Sequence, residues 1–252
     1  MTGDTPTLSV CIPAYDMGGQ GGDFLAASLN RIASQTLQGI EVVVSDQSDT
    51  DAVAQVCDSF QDRLTLRRVD YRNGPRQASA NTNNALRHAQ GRVLKILFQD
   101  DLLARDDALA LTEAAFDDPG TRWCLCGSAT TPDGQRADNP MVPRLTPAMR
   151  FGRNTVSSPS VLAMRADDLR LFDENLIWLM DVEMYHRLNT ELGPPAILPE
   201  TLVLNRLHPG QVSAGVRPDL RRRELAYIRG KTRAGESWAD WWEYHRQRLK
   251  AR

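Results

Sequence analysis

The sequence predicts an α/β fold: a mostly parallel sheet flanked by helices, followed by a helical, basic C-terminal extension. In the first half, apolar runs of strand length alternate with helical patterns, the order that builds right-handed βαβ units. Polar residues follow successive apolar runs, as at the ligand-binding edge of a parallel sheet. From residue 216 onward the composition shifts toward Arg, Lys and Trp. We therefore divide the chain into a domain at 1–215 and an extension at 216–252.

In the first half, segments with the pattern of a strand alternate regularly with segments that have the periodicity of a helix. An apolar run at 8–13 predicts a strand that stops at a proline, and a helical pattern covers 24–33. The same reasoning gives a strand at 40–46, a helix at 51–60, a strand at 64–69, a helix at 79–89 and a strand at 93–98.

The second half is less regular. Residues 130–155 are rich in Pro, Asp, Gly and Asn, which predicts a loop. The elements predicted around this loop are strands at 123–128, 160–165, 196–198 and 201–204 and a helix at 181–192.

Composition excludes several classes of protein. The formal net charge of −2 gives no general attraction to nucleic acid. No apolar run approaches the roughly 18 residues of a membrane span, and the N-terminus lacks the pattern of a signal peptide. The four cysteines do not suggest a disulfide framework in a chain of 252 residues. We expect a cytoplasmic protein.

Two adjacent aspartates, Asp100 and Asp101, close the apolar run at 93–98. Neighbouring carboxylates repel each other unless a cation or a donor group lies between them, so the pair is a candidate site for a divalent metal and a nucleotide. An N-cap for a following helix is the alternative, and the pair alone favours neither. Tyr15 and Asp46 also end strands, which favours a ligand crevice.

Further segments follow one another in the order of a known set of motifs. They are SVCIPAY at 9–15, SQT at 34–36, VVVSDQSDTD at 42–51, NGPRQASANTNNA at 73–85, GRVLKILFQDD at 91–101, DVEMYHRL at 181–188 and RLHPGQVS at 206–213. Together they resemble the family 2 glycosyltransferases, which have the GT-A fold. The chain departs from the family pattern at Asp16, where Asn is usual, at Phe98-Gln99, where the first acid of the metal motif is absent, and at Met180, which replaces an acid.

The resemblance implies a metal-dependent enzyme that uses Mn²⁺ or Mg²⁺. Asp101 and His208 correspond to metal ligands, and Asp100 to a contact with the ribose or the water shell of the metal. A bound cation stabilises the charge of the leaving diphosphate, and hard oxygen ligands suit both ions. For His208 the alternative is an ordinary surface histidine.

The resemblance also implies a nucleotide pocket. Pro13, Ala14 and Tyr15 correspond to its lining, and Asp46 to an acceptor for the imide N–H of the base. That contact favours a UDP- or dTDP-type donor, although guanine also offers an N–H. Asp46 as a turn cap is the alternative, and Asn81 is either a nucleotide contact or a cap.

The activity implied is inverting transfer of a sugar from a nucleotide-diphosphate sugar to an acceptor hydroxyl, in bacterial surface polysaccharide or glycoconjugate synthesis. Asp181 corresponds to the general base, with Glu183 as its competitor and an N-cap role as its alternative. Ser158 and Trp178 correspond to the acceptor side, which would bind a glycan or a lipid-linked acceptor. The rival hypotheses are a sugar-phosphate nucleotidyltransferase and a catalytically degenerate nucleotide-binding subunit.

The C-terminal extension combines basic residues with tryptophans. Its members include Arg221, Arg222, Arg223, Trp238, Trp241, Trp242, Arg246, Arg248 and Lys250. Such a segment fits peripheral contact with an anionic membrane, or else a helix that packs on the domain with solvated arginines.

Overall fold

The computed structural model describes residues 5–211, 215–232 and 237–251, and in these ranges nine strands form one sheet. The strands are β1 (Leu8–Ala14), β2 (Ile40–Asp46), β3 (Thr65–Asp70), β4 (Val93–Ile96), β5 (Leu102–Leu103), β6 (Trp123–Thr131), β7 (Asp138–Met141), β8 (Leu162–Arg165) and β9 (Ala196–Arg206). The α-helices are α1 (Gly21–Ala33), α2 (Ala52–Ser59), α3 (Ala78–His88), α4 (Ala108–Ala114), α5 (Met180–Leu192), α6 (Pro218–Thr232) and α7 (Trp238–Lys250).

The sheet is parallel in its first half and mixed in its second. The strand order is β3-β2-β1-β4-β8-β6-β9-β5, with β7 on β6. Strands β1 to β4 run parallel, and β8 pairs antiparallel with β4. Ala14 at the end of β1 stands opposite Asp46 at the end of β2. This arrangement confirms the predicted fold class and brings the carboxyl ends of β1, β2 and β4 to one edge.

The apolar runs form the core. All seven residues of β1 are buried, as expected for a parallel strand that is covered on both faces. On α1 the buried Leu25, Leu29 and Ile32 lie three or four residues apart, so one stripe of that helix faces the sheet. The four cysteines are free and buried, so they pack as small apolar side chains.

Several predicted boundaries are wrong. Residues 196–206 form the single strand β9 rather than two strands, with a shift in pairing where β6 residues 126–128 meet it. The predicted loop at 130–155 contains the short strand β7, and the strand predicted at 160 begins at Leu162. The helix-cap alternative for the aspartate pair is also wrong, because β5 follows the pair and the next helix begins only at Ala108.

The C-terminal helices pack on the domain. Leu225 and Ile228 of α6 and Tyr244 of α7 are buried in the main hydrophobic cluster. Arg150 and Asp240 form a buried ion pair at 2.9 Å that fastens α7 to the segment before Gly152. Within the described ranges, no helix is long and apolar enough to cross a membrane.

Candidate functional site

Asp101 lies almost fully buried at the sheet edge, beside a serine-rich segment. Its side chain is 4% exposed. Ser160 Oγ donates to Asp101 Oδ2 at 2.6 Å, and Ser158 Oγ lies 3.0 Å from the same oxygen. Burial, and then repulsion from Asp100, raises the pKa of the Asp101 carboxyl. A cation at this edge would relieve both effects.

His208 reaches the other aspartate. His208 Nε2 lies 2.9 Å from Asp100 Oδ2, and the histidine side chain is 7% exposed, so the alternative of a surface histidine is wrong. The Phe24 ring packs against the imidazole with the ring centroids 5.0 Å apart. If Nε2–H donates to Asp100, the lone pair of Nδ1 is free, and this buried atom has no hydrogen-bond partner.

The described residues contain no group of three or more His, Cys, Asp or Glu side chains arranged to hold a metal ion. The Asp101 carboxylate and the unpartnered Nδ1 of His208 are nevertheless groups of the kinds that ligate a cation, which would take its remaining ligands from elsewhere. Mg²⁺ commonly binds through one or two carboxylates plus substrate phosphates and water. The donor set therefore fits a metal that binds together with a diphosphate.

Main-chain groups of the predicted base pocket are held by two buried amides. Asn81 Nδ2 donates to the Ala14 carbonyl at 3.0 Å. Gln99 accepts from Tyr15 N–H at 2.6 Å and donates to the Tyr15 carbonyl at 3.0 Å. Tyr15 itself is 43% exposed, so its ring is available to a ligand. Pro13 precedes these residues in the buried end of β1.

Asp46 does not face the crevice. Its side chain is 0% exposed. Oδ2 accepts from Arg68 at 3.0 Å and Oδ1 accepts from Ser48 N–H at 2.9 Å, which are the contacts of a turn cap and an ion pair. Gln47 follows, and its backbone N–H donates to the Ala14 carbonyl at 2.9 Å.

Asp181 lies in the first turn of α5, where Asn154 Nδ2 donates to its Oδ2 at 2.7 Å. Burial raises the pKa of the Asp181 carboxyl to about 7, and the negative charge of Glu224 adds to the shift. Its predicted competitor is already occupied, because Glu183 binds Arg187 at 2.9 Å and Lys231 at 2.6 Å. Of the two, only Asp181 is free of a cationic partner in the contacts described.

One segment joins the surroundings of Asp181 to those of Asp101. Asn154, which holds Asp181, also donates to the Ser157 carbonyl at 2.9 Å. Tyr185 of α5 donates to the Ser158 carbonyl at 2.8 Å, and Ser158 contacts Asp101. Both acids raise the pKa of the buried Tyr185 hydroxyl, after burial itself. The structure therefore brings Asp101, Ser158 and Asp181 together.

Trp178 lies just before α5. A Cβ on Gly152 would meet its ring at 2.8 Å, and Arg221 Cζ lies 5.2 Å from its ring centroid. The indole is thus held between the segment that carries Asn154 and the C-terminal helix α6.

Sequence reasoning assigned no role to three side chains that build this site: Gln99, Asn154 and Tyr185. Gln99 lies next to the aspartate pair, so its position was a usable signal. Asn154 and Tyr185 act through contacts between distant segments, which no local pattern indicates. Of the RLHPGQVS segment, residues 212 and 213 lie outside the described ranges.

Comparison with known proteins gives a consistent picture. The model of the family described as "Glycosyl transferase family 2" matches residues 9–178. Glycosyltransferase GlyG of Streptococcus pneumoniae serotype 4 is 28% identical over 96 residues, 38% of this chain and 31% of that protein. Validoxylamine A glucosyltransferase of Streptomyces hygroscopicus subsp. jinggangensis is 39% identical over 87 residues, 33% of this chain and 20% of that protein. The matches thus span less than a third of the length of these relatives.

Solved structures share the fold. Residues 1–349 of S. aureus TarS, in complex with UDP-GlcNAc, superpose with a TM-score of 0.69 at 17% identity, over 97% of this chain and 72% of that one. The mannosyltransferase PcManGT of Pyrobaculum calidifontis, in complex with GDP-Man and Mn²⁺, gives 0.65 at 18% identity, over 99% and 74%.

Proposed function

Because the chain belongs to glycosyl transferase family 2, we propose that it transfers a sugar from a nucleotide-diphosphate sugar to an acceptor hydroxyl with inversion. The observation that carries this proposal is the network of contacts from Asp181 through Asn154 to the Ser157 carbonyl, and from the adjacent Ser158 to Asp101. The segment at 154–158 thus connects two groups. One is Asp101, a candidate ligand for a diphosphate-bound cation, and the other is Asp181, a candidate base with a raised pKa. These are the two groups that such a transfer needs.

In this reaction the acceptor oxygen forms a bond to the anomeric carbon while the bond from that carbon to the diphosphate oxygen breaks. Asp181 takes the proton of the acceptor hydroxyl, and the diphosphate leaves with the bonding electron pair. A Mn²⁺ or Mg²⁺ ion, when bound by Asp101 and His208, would supply positive charge to the leaving group. Asp100 holds His208 by its hydrogen bond and orients the ring.

The donor pocket lies at the ends of β1 and β2. The exposed ring of Tyr15 offers a face for the base, and Asn81 fixes the carbonyl of Ala14 beneath it. We favour a UDP- or dTDP-type donor, and the UDP-GlcNAc bound to TarS supports this choice. The choice does not rest on Asp46, because both oxygens of that buried carboxylate are occupied within the protein. PcManGT binds GDP-Man, so guanine nucleotides belong in the test. Asp46 holds the end of β2 through its contacts with Arg68 and Ser48.

We assign Trp178 and Ser158 to the acceptor side, because Trp178 precedes Asp181 by three residues and Asn154 joins Asp181 to the segment of Ser157 and Ser158. An aromatic ring suits the apolar face of a sugar, and we propose a glycan or lipid-linked acceptor in surface polysaccharide or glycoconjugate synthesis on the cytoplasmic side. The rival nucleotidyltransferase hypothesis expects a basic phosphate loop after β1, and the residues at 16–22 contain no Lys or Arg.

The proposal is tested by thermal shift and nucleotide release. Wild type and Asp101→Asn are titrated with UDP-glucose, UDP-N-acetylglucosamine, dTDP-glucose and GDP-mannose, with Mn²⁺ and with EDTA. We expect one nucleotide class to raise the Tm of wild type only with metal, and the shift to be lost in the variant. Binding without any release of nucleotide would favour the degenerate-subunit rival. A folded wild type that binds none of the four would refute the proposal.

We also propose that α7 contacts an anionic bilayer. Its exposed face carries Trp238 at 80% and Trp242 at 62% exposure, with Arg248 and Lys250 nearby. The acids of this helix, Asp240 and Glu243, are both buried, so its exposed side chains are aromatic, aliphatic or cationic. This combination is typical of helices that lie in the membrane interface.

Flotation with vesicles tests this contact. Wild type should float with phosphatidylglycerol-containing vesicles and not with pure phosphatidylcholine, and the double variant Trp238→Ser/Trp242→Ser should stay at the bottom. Val142→Ser, at another exposed apolar residue, is the matched control. Wild type that fails to float with the anionic vesicles would exclude the membrane contact.

A further inference from the structure

The carboxylate of Glu224, on the C-terminal helix α6, binds the backbone just before α5, the helix that carries Asp181. Glu224 is 1% exposed. Its Oε1 accepts from Ile177 N–H at 2.8 Å, and its Oε2 accepts from Trp178 N–H at 3.0 Å and Leu179 N–H at 2.8 Å. Three consecutive peptide groups thus converge on one side chain, which fixes the chain direction immediately before α5.

The position of this carboxylate has a physical reason. The start of a helix leaves N–H groups without intrahelical partners and carries partial positive charge, so an anion there is stabilising. The N-cap residue of α5, Leu179, has no side-chain oxygen to satisfy them. Glu224 accepts from the N–H of Leu179 and of the two residues before it, and toward Leu179 it acts as the N3 Glu of a capping box acts toward the N–H of the N-cap residue.

The same helix also holds the neighbouring aromatic side chain. Arg221, one turn before Glu224, places its Cζ 5.2 Å from the centroid of the Trp178 ring. Asp181 follows Leu179 by two residues, and among the described residues of other segments Asn154 is the one that contacts its side chain by a hydrogen bond. The position of the candidate base therefore depends on Asn154 on one side and on α6 on the other.

We propose that Glu224 is a positioning residue for the transfer reaction and that α6 is a working part of the acceptor side. The family model ends at residue 178, so both Asp181 and Glu224 lie beyond the matched stretch. This role rests on the proposed function, because it assumes that Asp181 acts as the base. It assigns to the C-terminal helices a purpose in catalysis besides their packing on the domain.

The variant Glu224→Gln tests the role without removing the bulk of the side chain. The carboxamide of glutamine has one acceptor oxygen, where the carboxylate has two. Its NH₂ group would face the peptide N–H groups from which the second oxygen accepted hydrogen bonds. We expect kcat for nucleotide release to fall on the order of tenfold or more, because small displacements of reacting groups are costly, while KM for the donor stays unchanged. The donor is the member of the four-nucleotide-sugar panel that wild type turns over fastest, with water as the acceptor.

The pH profile separates positioning from a merely structural effect. The titratable groups coupled to Asp181 are Glu224 from α6, whose charge raises the pKa of Asp181, and Tyr185 from α5 itself, whose pKa is raised by Asp181. Loss of the Glu224 charge should move the acidic limb of kcat to lower pH, because a neighbouring anion no longer opposes ionisation of Asp181. Loss of stability alone would not move that limb.

Glu243→Gln is the matched control, since it neutralises another buried carboxylate on α7, whose described partners are Arg246 and Gln247. Amide hydrogen exchange gives a readout that needs no substrate: the amides of 177–179 should exchange faster in Glu224→Gln than in Glu243→Gln. If Glu224→Gln does not fold, Glu224→Asp replaces it in the test. This variant keeps the negative charge but moves the carboxylate oxygens away from the peptide N–H groups of 177–179, and we expect the same loss of kcat.

The outcomes distinguish this role from the proposed function. A folded wild type that releases nucleotide from none of the donors overturns the proposed function, and this role with it. An active wild type whose Glu224→Gln variant equals Glu243→Gln in kcat, acidic limb and exchange overturns the positioning role alone.

Discussion

Gln99 and Tyr15 form a closed pair of hydrogen bonds between the ends of two parallel strands. Tyr15 N–H donates to Gln99 Oε1 at 2.6 Å, and Gln99 Nε2 donates to the Tyr15 carbonyl at 3.0 Å and to the Gly21 carbonyl at 3.1 Å. One side chain thus satisfies three main-chain groups. The residue just before the aspartate pair therefore sets the position of the loop that carries the Tyr15 ring.

Gln99→Ala should lower stability by about 1–3 kcal/mol, because main-chain donors and acceptors at a buried site lose their partner. It should also raise KM for the donor more than it lowers kcat, since Tyr15 belongs to the donor pocket. Denaturant unfolding and steady-state kinetics measure the two effects. Gln99→Glu is the control: it keeps the size but cannot donate, and we expect it to be impaired as well. A donor KM equal to that of wild type in both variants would show that this pair does not shape the pocket.

Asp181→Asn should reduce kcat by roughly 10²–10⁴-fold, the usual contribution of a general base. Donor binding by thermal shift should be unchanged, because Asp181 lies on the acceptor side. Glu183→Gln is the comparison: it breaks contacts with Arg187 and Lys231, so stability should fall while kcat stays within a few-fold of wild type. The reverse pattern, with kcat lost in Glu183→Gln, would transfer the role of base to Glu183.

The same aspartate should set the pH dependence. Its pKa is raised by burial from 3.8 to about 7, and a base acts only when ionised. Activity should therefore fall as the pH drops through about 7, and a kcat profile measures this limb. A limb near pH 4 would mean that the base is an ordinary exposed carboxylate.

Stability should change with pH in the opposite sense. The folded protein holds the Asp181 proton more tightly than the unfolded chain, so ionisation of this group between about pH 4 and pH 7 weakens the folded state. Asp181→Asn removes that effect. Its Tm should exceed that of wild type at pH 8, and the difference should shrink at pH 4.

The sequence predicted the parts of the fold that follow from local patterns. The strand at 40–46 and the helix at 181–192 agree with the structure to within a residue because their apolar periodicity continues to their ends. β7 was missed because a four-residue strand with a proline inside has no such pattern. The burial of Asp46 depends on Arg68, which lies one strand away, and the hydrogen bond from Trp178 N–H to Glu224 joins residues that are 46 positions apart in sequence. Such contacts are set by packing, and the local sequence does not contain them.

Asp46→Asn should lower stability by about 1–3 kcal/mol, since the Arg68 guanidinium loses its ionic partner. The ratio of UDP to GDP affinity should stay as in wild type, because both oxygens of Asp46 are occupied within the protein. Titration calorimetry measures the ratio. Arg68→Met is the control, because it breaks the same ion pair with Asp46 but leaves the carboxylate in place. A ratio that changes in Asp46→Asn but not in Arg68→Met would mean that this carboxylate does reach the base.

The buried pair of Arg150 and Asp240 should make the attachment of α7 sensitive to single substitutions. Their side chains are 8% and 6% exposed, and the nitrogen and oxygen lie 2.9 Å apart. Removing one partner from a buried ion pair leaves an uncompensated charge, so Asp240→Asn should lower the free energy of unfolding by about 3–5 kcal/mol. The double variant Arg150→Met/Asp240→Leu should lose much less, because no buried charge remains. Urea unfolding of the three proteins measures this difference. If the double variant is as unstable as Asp240→Asn, other contacts of Asp240, such as its capping of Ser237 at the start of α7, hold this helix in place.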